Sequence, residues 1–328
     1  MTNRFTQQPV SGRWTPCLHF FRSMALLCSF SYIFMVHHVV TVLTVVWWCV
    51  GTVVCRLTES SHRISGITTL DNKLYLLRCR DSYQIEIYDV VCPSPRFALQ
   101  HCLSLPRLYR DDWNDMTSSE KHRCLYVSNF SMNRIQRVEP EDGSVTFWPM
   151  PDAPCGLSMT LDDHLLVTFQ VPKKPGKVME IDGSGNCVRK VVFEEGILWS
   201  WHTVEVRTTI AQGQFVICHG YYDQDNHCVS IVGAADGRKF RSYGAIPGAD
   251  AGQLYVPYHL AVDAEGCVFV ADHHNGRVVV LSPELDFIGC IASQDNELKS
   301  RPRRLCLDVQ SHLLYVGQDD GTLTALRL

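Results

Sequence analysis

The sequence lacks the closely spaced cysteine pairs of zinc-binding and thioredoxin-like domains, although it contains 15 cysteines in 328 residues. No two cysteines stand in C-x-x-C spacing, and the closest pair, Cys49 and Cys55, is six positions apart. This spacing excludes RING, B-box and zinc-ribbon domains, which bind zinc through short paired ligands. Several cysteines lie in apolar runs such as Val216–Cys218, where a free thiol packs as a small hydrophobic group. We expect reduced, structural cysteines, with a partly oxidised ectodomain as the alternative.

Motifs of nucleophilic and nucleotide-dependent catalysis are also missing. The chain has no G-x-S-x-G segment, no P-loop and no Rossmann fingerprint. The sequence therefore predicts a protein that is not an enzyme and needs no cofactor. Its composition, 46% hydrophobic and 20% charged, excludes a disordered chain and is sufficient for a large core.

Acidic residues are nearly absent from the first 63 positions, which contain five arginines and only Glu59, a net charge of +4. The other 265 residues contain 25 basic and 33 acidic side chains, a net charge of -8. An acidic domain argues against a broad phosphate-binding surface, so we do not expect nucleic acid as a partner. The one dense basic cluster, Lys299–Arg304, is predicted to be a solvated loop, and RNA binding is kept as an alternative function.

A long uncharged run follows a basic tail at residues 1–23. Residues 24–55 contain no formally charged side chain, and 24 of these 32 residues are apolar. A helix of about 20 such residues crosses a bilayer, so the run is a candidate transmembrane helix of a single-pass membrane protein. The run is also rich in Val and Thr, which suit strands. A strand donor or a non-native leader in a cytoplasmic protein is therefore the alternative.

A four-strand pattern recurs about every 48 residues from residue 64 onward. Each copy has a short apolar strand, a polar turn, and a second strand with a large side chain near its centre. A Gly- or Asn-marked turn leads to a third strand, and a tight turn, often Asp-Gly, leads to a fourth. Four antiparallel strands per repeat of this length are typical of propeller blades. The predicted fold is all-β, a six-bladed β-propeller. The central residues of the six second strands are Tyr75, Tyr126, Leu166, Phe215, Phe269 and Tyr315.

The sixth copy has only three strands before Leu328. A closed ring needs this blade completed, and a strand from the N-terminal side can do so. We predict that the closing strand lies within Val53–Ser60 and comes mostly from Arg56–Ser60, so the propeller is assigned to residues 56–328. Deleting residues 1–62 should then lower the melting temperature much more than deleting residues 1–50.

Two segments carry a recognisable repeat motif. Leu125–Asn129 is followed by Asn133–Ile135, and Val268–Asp272 is followed by Asn275–Val278. Both resemble the NHL repeat, whose second strand ends in Val-x-Asp/Asn and whose third strand begins near Asn-x-Arg or Asn-Arg. Over residues 64–328 the chain resembles the six-bladed NHL propellers found in the C-terminal domains of tripartite-motif NHL proteins.

The resemblance implies roles for four residues and a function for the domain. Asn129, Arg134, Asp272 and Arg277 would stabilise hairpins through charge-assisted hydrogen bonds rather than bind a ligand. NHL propellers often recognise substrates for ubiquitin ligases. The implied function is a non-catalytic scaffold that binds a protein or peptide, a recognition module in ubiquitin-linked turnover. Any ligase activity would come from a partner, because this chain has no RING.

A ring of residues is predicted where the innermost strands begin and line one mouth of the central channel. Alignment of the six copies gives Gly66, Asn114, Gly156, His202, His259 and Arg304. The polar members Asn114, His202, His259 and Arg304 are the candidate ligand-binding residues, suited to an anionic or amide-bearing group such as a peptide terminus. The alternative is that they satisfy only backbone groups and water.

A metal-dependent enzyme is a further alternative, because a peptide-amidating lyase uses an NHL-like propeller with zinc bound by histidines on inner strands. His202 and His259 lie on adjacent predicted blades and could share a metal ion. A catalytic zinc needs three protein ligands, and none of Asn114, Gly156 and Arg304 is a good third ligand. The sequence therefore predicts no metal site.

Overall fold

The computed structural model describes residues 51–58, 62–79, 83–91, 96–105, 114–169, 174–197, 200–206, 213–220 and 226–328. Within these ranges the chain forms 24 β-strands and no helix. The strands assemble into six antiparallel four-stranded sheets, and the innermost strands of neighbouring sheets contact one another around a closed ring. The predicted all-β, six-bladed propeller is thus confirmed.

Five blades are built from four consecutive strands, whereas blade six combines the two ends of the propeller. The first strand, β1 (Thr52–Leu57), belongs to blade six. Blade one contains β2 (Ile64–Leu70), β3 (Lys73–Cys79), β4 (Tyr83–Val91) and β5 (Arg96–Ser104), and blade two β6 (Met116–Ser119), β7 (Cys124–Asn129), β8 (Arg134–Val138) and β9 (Val145–Pro149). Blade three contains β10 (Pro154–Met159), β11 (Leu165–Phe169), β12 (Lys177–Ile181) and β13 (Cys187–Val192), and blade four β14 (Ser200–Val206), β15 (Gln214–His219), β16 (His227–Gly233) and β17 (Lys239–Ala245). Blade five contains β18 (Pro257–Val262), β19 (Val268–Asp272), β20 (Arg277–Leu281) and β21 (Phe287–Ser293), and blade six adds β22 (Pro302–Asp308), β23 (Leu313–Gln318) and β24 (Leu323–Arg327).

The repeat pattern locates the core correctly because each second strand is covered by its own sheet on both sides and by neighbouring blades on both faces. The six predicted central residues all lie on second strands and are at most 3% exposed. The Asp-Gly turns also form as expected. Gly143 and Gly237 have φ values of 71° and 69°, the left-handed region that glycine adopts without strain.

The closing strand is β1, which pairs antiparallel with β24 from Thr52 opposite Arg327 to Leu57 opposite Leu323. The prediction that a strand from the N-terminal side completes blade six is confirmed, but its assignment mainly to Arg56–Ser60 is wrong. The strand occupies the apolar N-terminal part of the predicted range Val53–Ser60, because Val53 and Leu57 pack into the core. The sequence after Leu57 is polar. The first strand of the propeller therefore begins at Thr52, four residues before the expected boundary.

The basic tail at residues 1–23 and residues 24–50 of the hydrophobic run lie outside the described residues. The last residues of the run, Thr52–Cys55, are β-strand, so the prediction of helix is wrong for that part. Among the residues that the structure describes, no helix is long and apolar enough to cross a bilayer. The ten cysteines whose side chains are described are all free thiols.

Candidate functional site

The two faces of the propeller differ in which strand ends they carry. On the first, named here the entry face, the innermost strands β2, β6, β10, β14, β18 and β22 begin. On the second, named the hairpin face, turns join the first strand to the second, and the third to the fourth, in each blade. Five of the six innermost strands have an irregular register near their start, between residues 64 and 66, 154 and 157, 200 and 202, 257 and 259, and 302 and 304. Bulges of this kind redirect side chains.

The starts of the innermost strands, of which the one after Asn114 is regular, bring together all four predicted ligand-binding residues. The side chains of Asn114, His202, His259 and Arg304 lie at the centre of the ring and are 0–7% exposed. They are therefore buried in the core of the channel rather than open at its mouth. Their ligand-binding role remains a prediction.

Asp115 is the centre of this group, and the sequence alignment missed it. Its Oδ1 lies 3.2 Å from Arg304 Nε, and its Oδ2 lies 3.4 Å from His259 Nε2. The amide of Leu157 also donates to Oδ2, at 3.0 Å. Among the residues directly before or after the six aligned positions, Asp115 is the one with a carboxylate side chain. This carboxylate beside Asn114 could have identified Asp115 from the sequence. We name Asn114, Asp115, His202, His259 and Arg304 the central cluster.

Arg304 supplies the positive charge of the central cluster and connects three blades. Its Nε donates to the carbonyl of Ser65 at 2.6 Å, and its Nη2 donates to the carbonyl of Asn114 at 3.0 Å. Burial by itself would raise the pKa of Asp115, but Arg304 and then His259 outweigh it and hold that pKa below its usual range. A buried carboxylate is tolerated here because it is ionised against a buried guanidinium.

The two histidines stack face to face, with ring centroids 3.8 Å apart. His202 Nε2 donates to the carbonyl of Leu157 at 2.9 Å, which leaves Nδ1 with a lone pair and no hydrogen-bond partner among the described residues. His259 Nδ1 accepts weakly from the amide of Leu305, at 3.4 Å. Burial, followed by the neighbouring His259, lowers the pKa of His202 to about 3, and burial also lowers the pKa of His259. Both rings are therefore neutral at pH 7.

The central cluster takes part in contacts with all six blades, through Ser65 O of blade one and Leu157 of blade three besides its own members. Two arginines of the basic run Lys299–Arg304 are therefore part of the buried centre rather than of the surface. Arg303 and Arg304 are 4% and 3% exposed, so the prediction of a solvated loop is wrong for these two. Arg303 lies against Tyr258 and donates from Nη2 to its hydroxyl at 3.0 Å.

The residues assigned by the NHL resemblance lie away from the central cluster, at turns between second and third strands. Asp272 is fully buried and accepts from Arg277 Nε at 2.7 Å and from the amide of Tyr255 at 2.7 Å. Arg277 also donates to the carbonyls of Ala249 and Gln253. In blade two, Asn129 Oδ1 caps a turn by accepting from the Met132 amide, and Arg134 lies over the ring of Phe147.

Replacement of Arg277 by methionine is expected to lower the free energy of unfolding by about 2 kcal/mol, because the Asp272 carboxylate loses a charged donor while it stays buried. Urea denaturation measures the change. The matched control is Arg241→Met, whose pair with Asp286 is exposed on both sides and should contribute less than about 1 kcal/mol. Equal losses in the two variants would contradict the assignment of a buried structural role to Arg277.

Two adjoining cavities open on the hairpin face. The first has a volume of about 370 Å³ and is lined by the inner turns of blades six, one and two, and the second has about 350 Å³. Both include Asp71, which pairs with Arg123 at 2.8 Å. We name these two cavities together the acidic groove. Its acidic and basic lining residues are Asp71, Lys73, His101, Glu120, Arg123, Glu141 and Asp308.

Negative charge is incompletely compensated in the acidic groove. Glu120 is exposed, but partial desolvation, followed by the carboxylates of Asp71 and Asp163, raises its pKa above the usual value. Val309, an apolar side chain of the first cavity, is 53% exposed. The groove thus offers carboxylates and one exposed apolar side chain on an accessible surface, which the central cluster does not.

No family model matches the chain. The solved structures that resemble it are propellers of very different sequence. Virginiamycin B lyase from Staphylococcus aureus is 12% identical with a TM-score of 0.54, over 84% of this chain and 98% of the lyase chain. A chain of the Kuenenia stuttgartiensis hydrazine synthase is 16% identical with a TM-score of 0.54, over 80% and 83% of the two chains. The fold is a six-bladed propeller. At these identities the likeness shows the fold alone, and membership of the NHL family remains a prediction.

Proposed function

We propose that this protein is a non-catalytic binding propeller that holds an extended basic segment of a partner protein in the acidic groove. The observation that carries the proposal is the groove itself, two adjoining cavities of about 370 and 350 Å³ whose lining includes four carboxylates. Ligand pockets usually measure about 300–1,000 Å³, so each cavity can take one or two side chains of a peptide.

Electrostatics favour a cationic ligand. The elevated pKa of Glu120 reflects desolvation and repulsion by nearby carboxylates, and a Lys or Arg side chain bound beside it would offset the repulsion. Arg123 already neutralises Asp71, and the Asp308 oxygens accept from the Gln310 and Ser311 amides and the Ser311 hydroxyl, so Glu120 is the more accessible carboxylate of the first cavity while Asp308 adds negative charge. The net charge of -8 over residues 64–328 would increase the rate of association with a basic partner.

The groove replaces the entry-face mouth as the proposed binding surface. The mouth residues foreseen from the sequence are buried, and Asp115 already neutralises Arg304, so an anionic ligand there would have to break existing bonds. RNA is disfavoured at the groove because phosphate would meet carboxylates. A recognition role in ubiquitin-linked turnover fits a peptide-binding groove, with the ligase supplied by a partner.

Fluorescence anisotropy of labelled octapeptides with the full-length protein tests the proposal. A peptide of alternating Arg and Leu should bind, and the same peptide with Glu in place of Arg should not. The triple variant Asp71→Asn, Glu120→Gln and Asp308→Asn is expected to weaken binding of the basic peptide at least about tenfold, since each lost charged contact contributes about 0.5–1 kcal/mol.

The control variant removes the same amount of charge from outer turns of the hairpin face. In Asp142→Asn, Asp182→Asn and Asp236→Asn, each new amide keeps the oxygen that accepts the backbone hydrogen bonds of its turn. Its affinity should stay within about threefold of the wild type. If both triple variants weaken binding equally, attraction is diffuse and the groove is not the site; if the basic peptide does not bind the wild type, the proposed function is wrong.

A further inference from the structure

Three potential metal ligands meet in the central cluster from three different blades. One ligand atom from each of Asp115, His202 and His259 lies within 4.8 Å of the other two. All three side chains are buried, on blades two, four and five. Two imidazoles and one carboxylate are a donor set that transition metals bind with open positions remaining for water or a ligand.

Each of these side chains is held by a second group, as ligands in metal sites usually are. Arg304 holds Asp115 Oδ1, and the other oxygen, Oδ2, is the one nearest His259. His202 donates Nε2–H to the carbonyl of Leu157, which fixes the tautomer and makes Nδ1 the available donor atom. A backbone carbonyl is a common outer partner of a ligating histidine.

Three buried polar atoms in the central cluster lack hydrogen-bond partners among the described residues, namely His202 Nδ1, Asn114 Nδ2 and Asp115 Oδ1, the last of which is ion-paired with Arg304. His202 is 3% exposed and Asn114 is fully buried. Desolvating a polar atom without a partner costs about 1–3 kcal/mol, so unpaired atoms at such a centre need an explanation. A metal ion explains the first, and a water or ligand oxygen on that ion would explain the second.

We propose that the central cluster binds one divalent transition-metal ion through Asp115, His202 and His259. The mixed nitrogen and oxygen donors select the series from Mn²⁺ to Zn²⁺ over Mg²⁺ and Ca²⁺, which prefer oxygen ligands. Three protein ligands correspond to an open site rather than a closed structural one. This inference is independent of the acidic groove, which lies on the opposite face and shares no residue with it.

Binding requires local rearrangement, because the stacked rings of His202 and His259 must turn before the in-plane lone pairs of both can point at one ion. His259 must ligate through Nε2, which gives up its 3.4 Å contact with Asp115 and moves its proton to Nδ1. The protonated Nδ1 would then face the N–H of Leu305 at 3.4 Å, two donors opposite each other, so this weak contact must open. The positive charge of Arg304 repels the ion. Arg304 contacts Oδ1 of Asp115, however, and the ion would bind the other oxygen, Oδ2.

The test uses full-length protein treated with EDTA, desalted, and titrated with Zn²⁺ or Co²⁺. We expect one ion per chain and a melting temperature that rises with Zn²⁺ and not with Mg²⁺. X-ray absorption of the Zn²⁺ form should show only nitrogen and oxygen neighbours near 2.0–2.1 Å. This matters because the chain has 15 cysteines, and sulfur neighbours at about 2.3 Å would mean that zinc binds elsewhere and would overturn the proposal.

Asp115→Asn and His202→Gln should each weaken Co²⁺ binding by at least about 100-fold. His219→Gln is the matched control, since His219 is a fully buried histidine of the same blade outside the central cluster, and it should bind as the wild type does. Circular dichroism without metal establishes whether each variant is folded. If a variant is not folded, the number of ions bound by the wild type and the atoms that X-ray absorption finds around the ion decide whether the site exists. A folded wild type that binds no Co²⁺, or variants that bind as tightly as it does, would refute the site.

Discussion

A chain that starts at residue 59 is expected to melt at least about 10 °C below a chain that starts at residue 51. The eight residues between these starting points contain β1, the fourth strand of blade six. Without β1, the backbone of β24 from Leu323 to Arg327 has no partner on its outer side. The ring is then no longer closed by strand pairing between its two ends.

The size of the effect follows from what β1 covers. Leu57 is 6% exposed and packs with Leu323 and Tyr315 towards blade one, while Val53 packs towards blade five. Deleting a buried leucine costs about 2–5 kcal/mol, and the lost ladder and the second apolar contact add to it. A total of roughly 5 kcal/mol corresponds to about 10–20 °C at 2–4 °C per kcal/mol for a domain of this size.

Thermal denaturation of chains 51–328 and 59–328, followed by circular dichroism, measures this difference. A peptide of residues 51–58 added to the shorter chain should recover part of the loss, because it can occupy the vacated edge of β24. Leu57→Asp in the longer chain is the single-residue counterpart and should lower the melting temperature by a large fraction of the same amount. Equal melting temperatures for the two truncated chains would show that β1 does not close the ring.

The fold was predictable because its signals are local and repeated. The sequence signals of a blade are alternating apolar residues, a large central side chain such as Tyr126 or Phe269, and Asp-Gly turns. All of them lie within one repeat of about 45 residues. The exact closing strand was not predictable. Its partner β24 lies about 270 residues away, and a run of almost uninterrupted apolar residues has no period of two from which to choose a register.

The sequence predicted which positions of the chain form the candidate site. It did not predict that their side chains are buried or which of them form ion pairs. Aligning repeats identifies which residue begins each inner strand, and that brought His202, His259 and Arg304 together correctly. The bulges at these strand starts change which neighbouring side chain faces the centre, and no periodic pattern reveals a bulge. Asn114 and Asp115 precede β6, whose pairing with β7 is regular, so the choice of Asn114 over the adjacent Asp115 was an error of one position in aligning blade two.

Mild acid is expected to destabilise the metal-free protein by about 4 kcal/mol between pH 7 and pH 5 through two buried histidines. Burial lowers the pKa of both His202 and His219 to about 3, and the unfolded value is about 6.5. Between these values the unfolded chain binds a proton at each ring and the folded chain does not, so stability rises with pH. At about 1.4 kcal/mol per pH unit, each ring contributes about 2 kcal/mol at pH 5.

The other shifted groups around these rings leave the direction of the effect unchanged. Burial also lowers the pKa of His259 and His273, so they add to the loss below pH 6.5. Asp115, beside His202, has a lowered pKa, so its contribution is fully present above pH 3.9 and is lost only as the pH falls towards the folded value. The nearby Lys239 lowers the pKa of His219 further and so opposes protonation of the folded ring.

Urea denaturation at pH 7, 6 and 5 in the presence of EDTA measures this slope. His219→Gln removes one of the two largest contributions and should make the protein about 2 kcal/mol less sensitive to the change from pH 7 to pH 5. His101→Gln, at an exposed position on β5, should leave the slope as it is in the wild type. A His219→Gln slope equal to that of the wild type would mean that the His219 ring is protonated in the folded state, which its complete burial beside Ser230 opposes.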